Sequence, residues 1–267
     1  MDWAEVILRV HDVPRCATFY EEALGMRRVE TQRQSVVLDF PTRQSGEARL
    51  RLVPAESTQP TVATSEDAFW KLGITLPDLD ATVDDLRGRG VEVTVPVQFR
   101  DIGYLCHLRD PSGHALELLQ RTFRDTPKLG TGAADSKTVL AHVTLRIRHL
   151  ERALRFWQGQ GLQVVSRQPV EDFGFVLYFL AAKAEPRPSE DLEAVENREW
   201  LWQRPYTCLE LQHWPQRDAD FTVARPQEPG LESMRFSGTA NASTDIRLRR
   251  GDGFLSSEFP EPCRHDS

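Results

Sequence analysis

The feature that most limits how this chain can fold is a segment that occurs twice. Residues 6–25 read VILRVHDVPRCATFYEEALG, and residues 143–161 read VTLRIRHLERALRFWQGQG. Such self-similarity marks a supersecondary unit used more than once, and it outranks local propensity in deciding architecture. Each copy opens on an apolar stretch carrying Leu-Arg-Val or Leu-Arg-Ile (Leu8–Val10, Leu145–Ile147). A polar turn follows, then a segment with an aromatic pair (Phe19-Tyr20, Phe156-Trp157) that closes on a glycine, Gly25 or Gly161. The opening stretch has a strand's period of two: Val6, Leu8 and Val10 on one face, Glu5, Ile7 and Arg9 on the other. Cys16, Phe19, Tyr20 and Ala23 fall at helical spacing and would cover the first of those faces. Glycine suits the helix end because it accepts positive φ readily.

Three more strand candidates follow in each copy: Met26–Thr31, Val36–Phe40 and Ala48–Val53, then Gln163–Arg167, Phe175–Leu180 and Thr207–His213. Both copies therefore read β-α-β-β-β. The later copy carries an insertion between Ala181 and Arg204, whose Pro186, Pro188 and acidic run predict a surface loop with a helical turn. Another copy lies between the two. It has a strand at Ala68–Leu76, a helix at Asp80–Arg89 and a strand at Val91–Val95. Strands Tyr104–Leu108 and His114–Leu119 then flank the turn Arg109–Gly113, where Pro111 and Gly113 suit a tight reversal. A fourth copy starts near Leu231, with a strand at Met234–Gly238, a short helix at Asp245–Arg250 and a strand at Phe254–Phe259. No last strand precedes Ser267, which divergence or truncation would equally produce. The expected organisation is two modules in residues 1–122 (4–57 and 67–122) and a polar linker at 123–137. Residues 138–267 then hold a third module (138–216) and an incomplete fourth (230–267). The expected fold class is α+β, with repeated βαβββ modules forming curved mixed sheets around clefts.

Composition excludes several functions. The chain is 40% hydrophobic and 27% charged with a net charge of −7, as an ordinary globular protein is. No basic tract is long enough to follow a phosphate backbone, and RLRR at 247–250 reads as a solvated helix face, so no nucleic-acid partner is expected. No apolar run approaches the ~18 residues of a span and no signal-peptide pattern opens the chain, so no membrane partner is expected. Cys16, Cys106, Cys208 and Cys263 stand singly and read as free thiols of a reducing compartment, with a cytoplasmic location as the expectation.

The βαβββ repeat together with DPSGHALELLQ at 110–120 resembles the vicinal oxygen chelate superfamily, the glyoxalase/bleomycin-resistance/extradiol-dioxygenase fold. The third module is most similar to the glyoxalase I (lactoylglutathione lyase) family through HVTLRIRHLERALRFW (142–157), LYFLA (177–181) and TCLELQHW (207–214). The resemblance implies a divalent metal, Zn, Ni or Fe, in a cleft where two modules meet. Each module would give one ligand from its first strand and one glutamate from its last. Carried over by position, these are His142 and Glu210 in the third module, Lys71 and Glu117 in the second, and Glu5 and Arg51 in the first. Imidazole and carboxylate suit a borderline cation, whereas an ammonium or guanidinium has no lone pair to give.

The outcome depends on which modules meet. If the first meets the second, Glu5, Arg51, Lys71 and Glu117 would neutralise one another as a degenerate site. If the second meets the third, Glu117, His142 and Glu210 would form a three-ligand metal site, with Lys71 free to bind substrate or pair with a carboxylate. If the third meets the fourth, Ser233 stands near the first-strand position, and only His142 and Glu210 remain. A second subunit, a homodimer, would then have to complete the site. A purely structural reading, in which His142 and Glu210 simply hydrogen-bond each other, stays open.

By the same resemblance, Glu117 or Glu210 would be the catalytic base that moves a proton on a small oxygenated substrate, glutathione-linked in the family. Arg146 would bind a glutathione carboxylate, which a bidentate guanidinium suits. The asparagine expected after the last-strand motif is absent from Glu210–Pro215, and Arg9 duplicates Arg146 in a module without ligands. The leading expectation is a metal-dependent, lactoylglutathione lyase-like lyase or isomerase. The alternatives are a non-catalytic small-molecule-binding or interaction protein of the same fold and an extradiol dioxygenase-like oxidoreductase. The last would need a histidine and a glutamate from the fourth module. His11, His107, His114, His149 and His213 are expected to face solvent or to hydrogen-bond.

Overall fold

A computed structural model describes residues 2–127, 137–182, 185–238 and 242–260. Most of the 123–137 linker, together with Cys263 and the end of the chain after residue 260, lies outside the described residues. The first module comprises β1 (Asp2–Val10), α1 (Val13–Glu22), β2 (Arg27–Gln32), β3 (Ser35–Asp39) and β4 (Arg49–Pro54). The second comprises β5 (Phe69–Leu76), α2 (Leu79–Gly88), β6 (Val97–Phe99), β7 (Gly103–Arg109) and β8 (Ala115–Gln120). The third comprises β9 (Val139–Ile147), α3 (Leu150–Gly159), β10 (Gln163–Val170), β11 (Phe175–Ala181), α4 (Glu196–Trp202) and β12 (Cys208–His213). Three strands follow: β13 (Gly230–Ser237), β14 (Ala242–Arg249) and β15 (Gly253–Pro260).

The repeats begin their helices in the same way because the same local chemistry recurs. Asp12 caps α1 by accepting from the Arg15 backbone N–H, and Asp78 caps α2 by accepting from Ala81. Each cap satisfies one of the orphan donors that a first turn leaves. In α3 the cap position is His149, which makes no such bond. The carboxylate of Asp252, in the turn between β14 and β15, accepts from the Arg148 and His149 N–H groups instead. One module's helix is thus capped by a residue from another.

The strands form two sheets. The seven-stranded sheet has the order β15-β14-β13-β1-β4-β3-β2, and the eight-stranded sheet the order β10-β11-β12-β9-β5-β8-β7-β6. The first and second modules, adjacent in sequence, therefore lie in different sheets, whereas the second and third share one. The second and third modules join through antiparallel β5 and β9, and the first joins the last three strands through antiparallel β1 and β13. One face of the eight-stranded sheet presents Leu72, Ile74, Leu116, Leu118, Val143 and Leu145 to the main core. Its other face curves around a second cluster that includes Leu105, Leu119, Phe175, Phe179 and Trp202. That curved face holds the candidate site. No described helix is long and apolar enough to cross a membrane.

Three local expectations are corrected. Residues 91–95 are irregular, with one isolated bridge from Val93 to Leu108, and the edge strand is Val97–Phe99. The helix expected at 245–250 is the strand β14, so RLRR is not a helix face. Ile246 is buried while Arg247 and Arg249 are exposed, the alternation of a strand rather than a helix. The 181–204 insertion does contain a helical turn, α4, but it is not only surface, since Leu201 and Trp202 are buried in the second cluster.

Candidate functional site

Register brings the expected residues together. In the β5–β9 pair, Leu72 faces Val143, Lys71 faces Thr144 and Gly73 faces His142. Rotation about the Leu72–Val143 point exchanges Lys71 with His142 and Gly73 with Thr144. Glu117 on β8 pairs with Gly73, and Glu210 on β12 pairs with Thr144, so the two glutamates exchange as well. The four positions homologous between the second and third modules thus meet on one sheet.

The Lys71 ammonium pairs with Glu117 Oε2, and His107 Nε2 lies 3.0 Å from the same oxygen. His142 Nε2 lies 3.2 Å from Glu117 Oε1 and 3.3 Å from Glu210 Oε2. The Thr144 hydroxyl donates to Glu210 Oε2 at 2.5 Å. Lys71, Glu117, His142 and Glu210 are each at most 5% exposed, so their mutual pairing decides their charge states. Burial opposes ionisation of Glu117. The Lys71 ammonium beside it, helped by His107 and His142, outweighs burial and holds this carboxyl well below the usual carboxylate range. His142 reaches between the carboxylates because residue 73 is glycine. A Cβ there would stand 1.9 Å from the imidazole Cε1. Phe179 and Trp202 pack on the ring with centroids 6.0 Å away, and neither ring nitrogen has a hydrogen-bond partner of good geometry.

The donor set does not fit the divalent cation that the resemblance implies. Lysine stands where the second module would supply its first-strand ligand, and its ammonium already occupies Glu117. Among the described residues, no group of three or more His, Cys, Asp or Glu is arranged to hold a metal ion. A dication about 4 Å from that ammonium would meet a repulsion on the order of 8 kcal/mol at an effective dielectric of about 20.

Arg146 points to the same face but is engaged. Its guanidinium donates to Gln212 Oε1 at 3.1 Å and to the backbone carbonyls of Thr64 and Asp67 at 2.8 and 3.1 Å, and it lies 4.7 Å from the Trp70 ring. Burial lowers its pKa to about 10, against the pull of Asp67 and Glu210. Arg9 does the equivalent work in the other sheet, donating to the carbonyls of Glu228 and Arg225 at 2.8 and 3.1 Å. Each arginine ties down the loop that leads into the strand beside it, β5 or β13. The duplication that made a substrate role for Arg146 less specific has this structural reason.

Beyond the polar groups the cleft opens into a cavity of about 320 Å³, walled by Phe99, Phe173, Phe175, Phe179, Trp202 and Trp214. Lys71, His107, Glu117 and Glu210 reach it as well. At the equivalent positions of the other module pair, charged side chains close on one another. There Arg51 makes two 2.8 Å bonds to the Glu5 carboxylate, Arg235 makes a third at 2.8 Å, and Arg235 also clasps Asp245 at 2.7 and 3.1 Å. Glu5 and Arg51 thus sit in a closed ion-pair cluster, apart from Lys71 and Glu117.

Thr144, Trp70 and Trp202 join the site without a sequence signal of a site role, and so does His107, which was expected only to face solvent or to hydrogen-bond. His107 was legible in principle: the 109–113 reversal sets the β7–β8 register that places His107 opposite Glu117. Trp202 had no such signal, because it arrives from the insertion and is fixed there by its indole N–H donating to the Ile102 carbonyl at 2.7 Å.

Residues 2–118 match the family model described as Glyoxalase/Bleomycin resistance protein/Dioxygenase superfamily. A lactoylglutathione lyase of Arabidopsis thaliana is 27% identical over 164 residues, 57% of this chain and 52% of that protein. A second Arabidopsis thaliana relative, whose name places it in the chloroplast, is 27% identical over 165 residues, 57% of this chain and 42% of that protein. The chain spans about half the length of the curated relatives it matches. Among solved structures, glyoxalase I of Zea mays superposes with a TM-score of 0.64 at 16% identity, covering 96% of this chain and 91% of that one. At that identity the likeness establishes the fold.

Proposed function

We propose that this chain, whose residues 2–118 match the glyoxalase/bleomycin resistance protein/dioxygenase superfamily model, binds a small, largely apolar, oxygenated molecule in the cleft of its second and third modules. One observation carries this reading. The cleft joins an aromatic cavity of about 320 Å³ to a buried group of convergent polar side chains at one end. Ligand sites have this composition: apolar walls supply affinity, and a few placed polar groups fix orientation. The volume suits a ligand near the lower limit of the ~300–1,000 Å³ range. Calorimetric titration with small aromatic carbonyl compounds tests it. The expected result is saturable binding that is lost on Trp202→Ala, and absence of binding by any such compound would refute it.

A second reading, proton transfer of the lyase or isomerase kind, is favoured by Glu210. This carboxylate is held by the Thr144 hydroxyl and reaches the cavity, where it could take a proton from a bound molecule and return it. The names of the plant relatives support a glutathione-linked substrate, while Arg146, the expected glutathione contact, is committed elsewhere. Turnover of the methylglyoxal–glutathione hemithioacetal by the wild-type chain, abolished in Glu210→Gln, is the expected result. The reaction in this reading proceeds without a metal, because Lys71 stands in the ligand set and pairs with Glu117.

A further inference from the structure

We propose that the Lys71 ammonium takes the place of a metal ion in this cleft, and that the ligand is a neutral aromatic carbonyl compound whose oxygen is received by that ammonium. The inference deepens the binding reading above and rests on it.

Three observations lead here. First, the sheet itself identifies the substitution. Rotation about Leu72 and Val143 carries His142 onto Lys71 and Glu210 onto Glu117, so one half of a symmetric pair keeps histidine while the other half has lysine. Second, the lysine is built in. It is 4% exposed, its ammonium pairs with Glu117, and it stands 4.1 Å from the centroid of the Trp70 ring, a cation–π contact. Third, Lys71 still lines the cavity, together with Glu210 and the aromatic wall.

The class of ligand follows from charge. An ammonium donates up to three hydrogen bonds and accepts none, so the group it receives is an acceptor oxygen. Glu117 and Glu210 lie close by, and a carboxylate or phosphate on the ligand would face both of them. A neutral carbonyl meets the ammonium without that repulsion, and a hydroxyl on the adjacent carbon would find an acceptor in Glu210. The aromatic wall selects the body of the molecule by edge and face contacts. A 2-hydroxy aryl ketone combines these features.

The wild-type chain and the Lys71→Met, Lys71→Arg and Lys71→His variants, each checked for folding by circular dichroism, form the test. In the first arm the proteins are dialysed against Ni²⁺ or Zn²⁺ and then buffer, and metal is counted by mass spectrometry. The wild type is expected to hold none, and Lys71→His, which completes a two-histidine, two-glutamate set, is expected to hold about one ion per chain. Stoichiometric metal in the wild type would overturn the proposal. In the second arm, 2-hydroxyacetophenone and its carbonyl-free counterpart 2-phenylethanol are titrated calorimetrically. Lys71→Met is expected to weaken 2-hydroxyacetophenone at least tenfold and to leave 2-phenylethanol unchanged, while Lys71→Arg retains most of the carbonyl's advantage. Equal loss or no loss for both probes in Lys71→Met would overturn the lysine assignment and leave the cleft reading standing. Failure of the wild type to bind either probe would remove both.

Discussion

Replacing Gly73 with alanine is the smallest change that should dismantle the polar end of the cleft. The added Cβ would stand 1.9 Å from His142 Cε1, 2.0 Å from Nε2 and 2.4 Å from Nδ1. Carbon atoms rest about 3.5–4.0 Å apart, so the imidazole would have to move by roughly 1.5–2 Å. It has little room, because Phe179 and Trp202 pack on it and the ring is 1% exposed. Overpacking of this kind costs about 1–3 kcal/mol, against roughly 0.5–1 kcal/mol recovered when alanine replaces glycine in a strand. A net loss of up to about 2.5 kcal/mol is expected from urea unfolding. Since the clash is with one side chain, Gly73→Ala combined with His142→Ala should recover it. A double-mutant cycle is expected to give a coupling of at least about 1 kcal/mol, the range for groups in direct contact. Strict additivity of the two changes would refute the reasoning, because it would mean that the imidazole does not lie over residue 73.

Other expectations follow from the same geometry. Glu47 is buried, and burial raises its pKa to about 7 against the bonds it accepts from the Leu140 and Gln44 N–H groups. The native state then binds the extra proton, so stability present below the unfolded pKa of about 4.5 is lost as pH rises through about 7. The wild type should lose up to about 3 kcal/mol relative to Glu47→Gln between pH 5 and 8 in parallel urea melts; parallel profiles would contradict this. Glu5→Gln removes the carboxylate that holds Arg51 and Arg235 together and should cost about 3 kcal/mol, the low end for orphaning a buried partner because Arg235 keeps some access to water. Chemical denaturation measures it, and a loss below about 0.5 kcal/mol would show that the cluster is incidental. Cys16, Cys106 and Cys208 are buried thiols whose pKa values are pushed up to about 12, chiefly by burial. Maleimide labelling at pH 8 followed by peptide mapping should find all three unmodified until urea is added.

The fold was legible because its signals are local and repeated. Asp12 and Asp78 start helices by the same bond, and the strand periods around Val6–Val10 and Val143–Ile147 decide which side chains face which layer. Strand register then carries the site: once β5 and β9 pair at Leu72 and Val143, the placement of Lys71, Glu117, His142 and Glu210 follows. What the local pattern does not contain is which modules meet, since that is set by contacts between segments far apart in the chain. It also concealed β14, where the short charged segment DIRLRR reads as a helix until Ile246 is seen buried next to exposed Arg247. The commitment of Arg146 to Thr64 and Asp67 was hidden for a related reason, because a backbone carbonyl leaves no trace in residue identity. Gly73 shows the converse case, a residue that looks like weak strand filler yet sets the position of the central imidazole.

The central claim is that the second and third modules form a ligand cleft whose polar end is organised by Lys71 without a metal. A crystal structure of the chain grown with zinc and 2-hydroxyacetophenone, with anomalous data at the zinc edge, tests it most directly. The account predicts ligand density against Phe179 and Trp202 with its carbonyl oxygen at Lys71 Nζ, and no anomalous peak among Glu117, His142 and Glu210. A zinc peak between those three side chains with Lys71 swung away, or ligand bound instead beside Glu5 and Arg51, would contradict it.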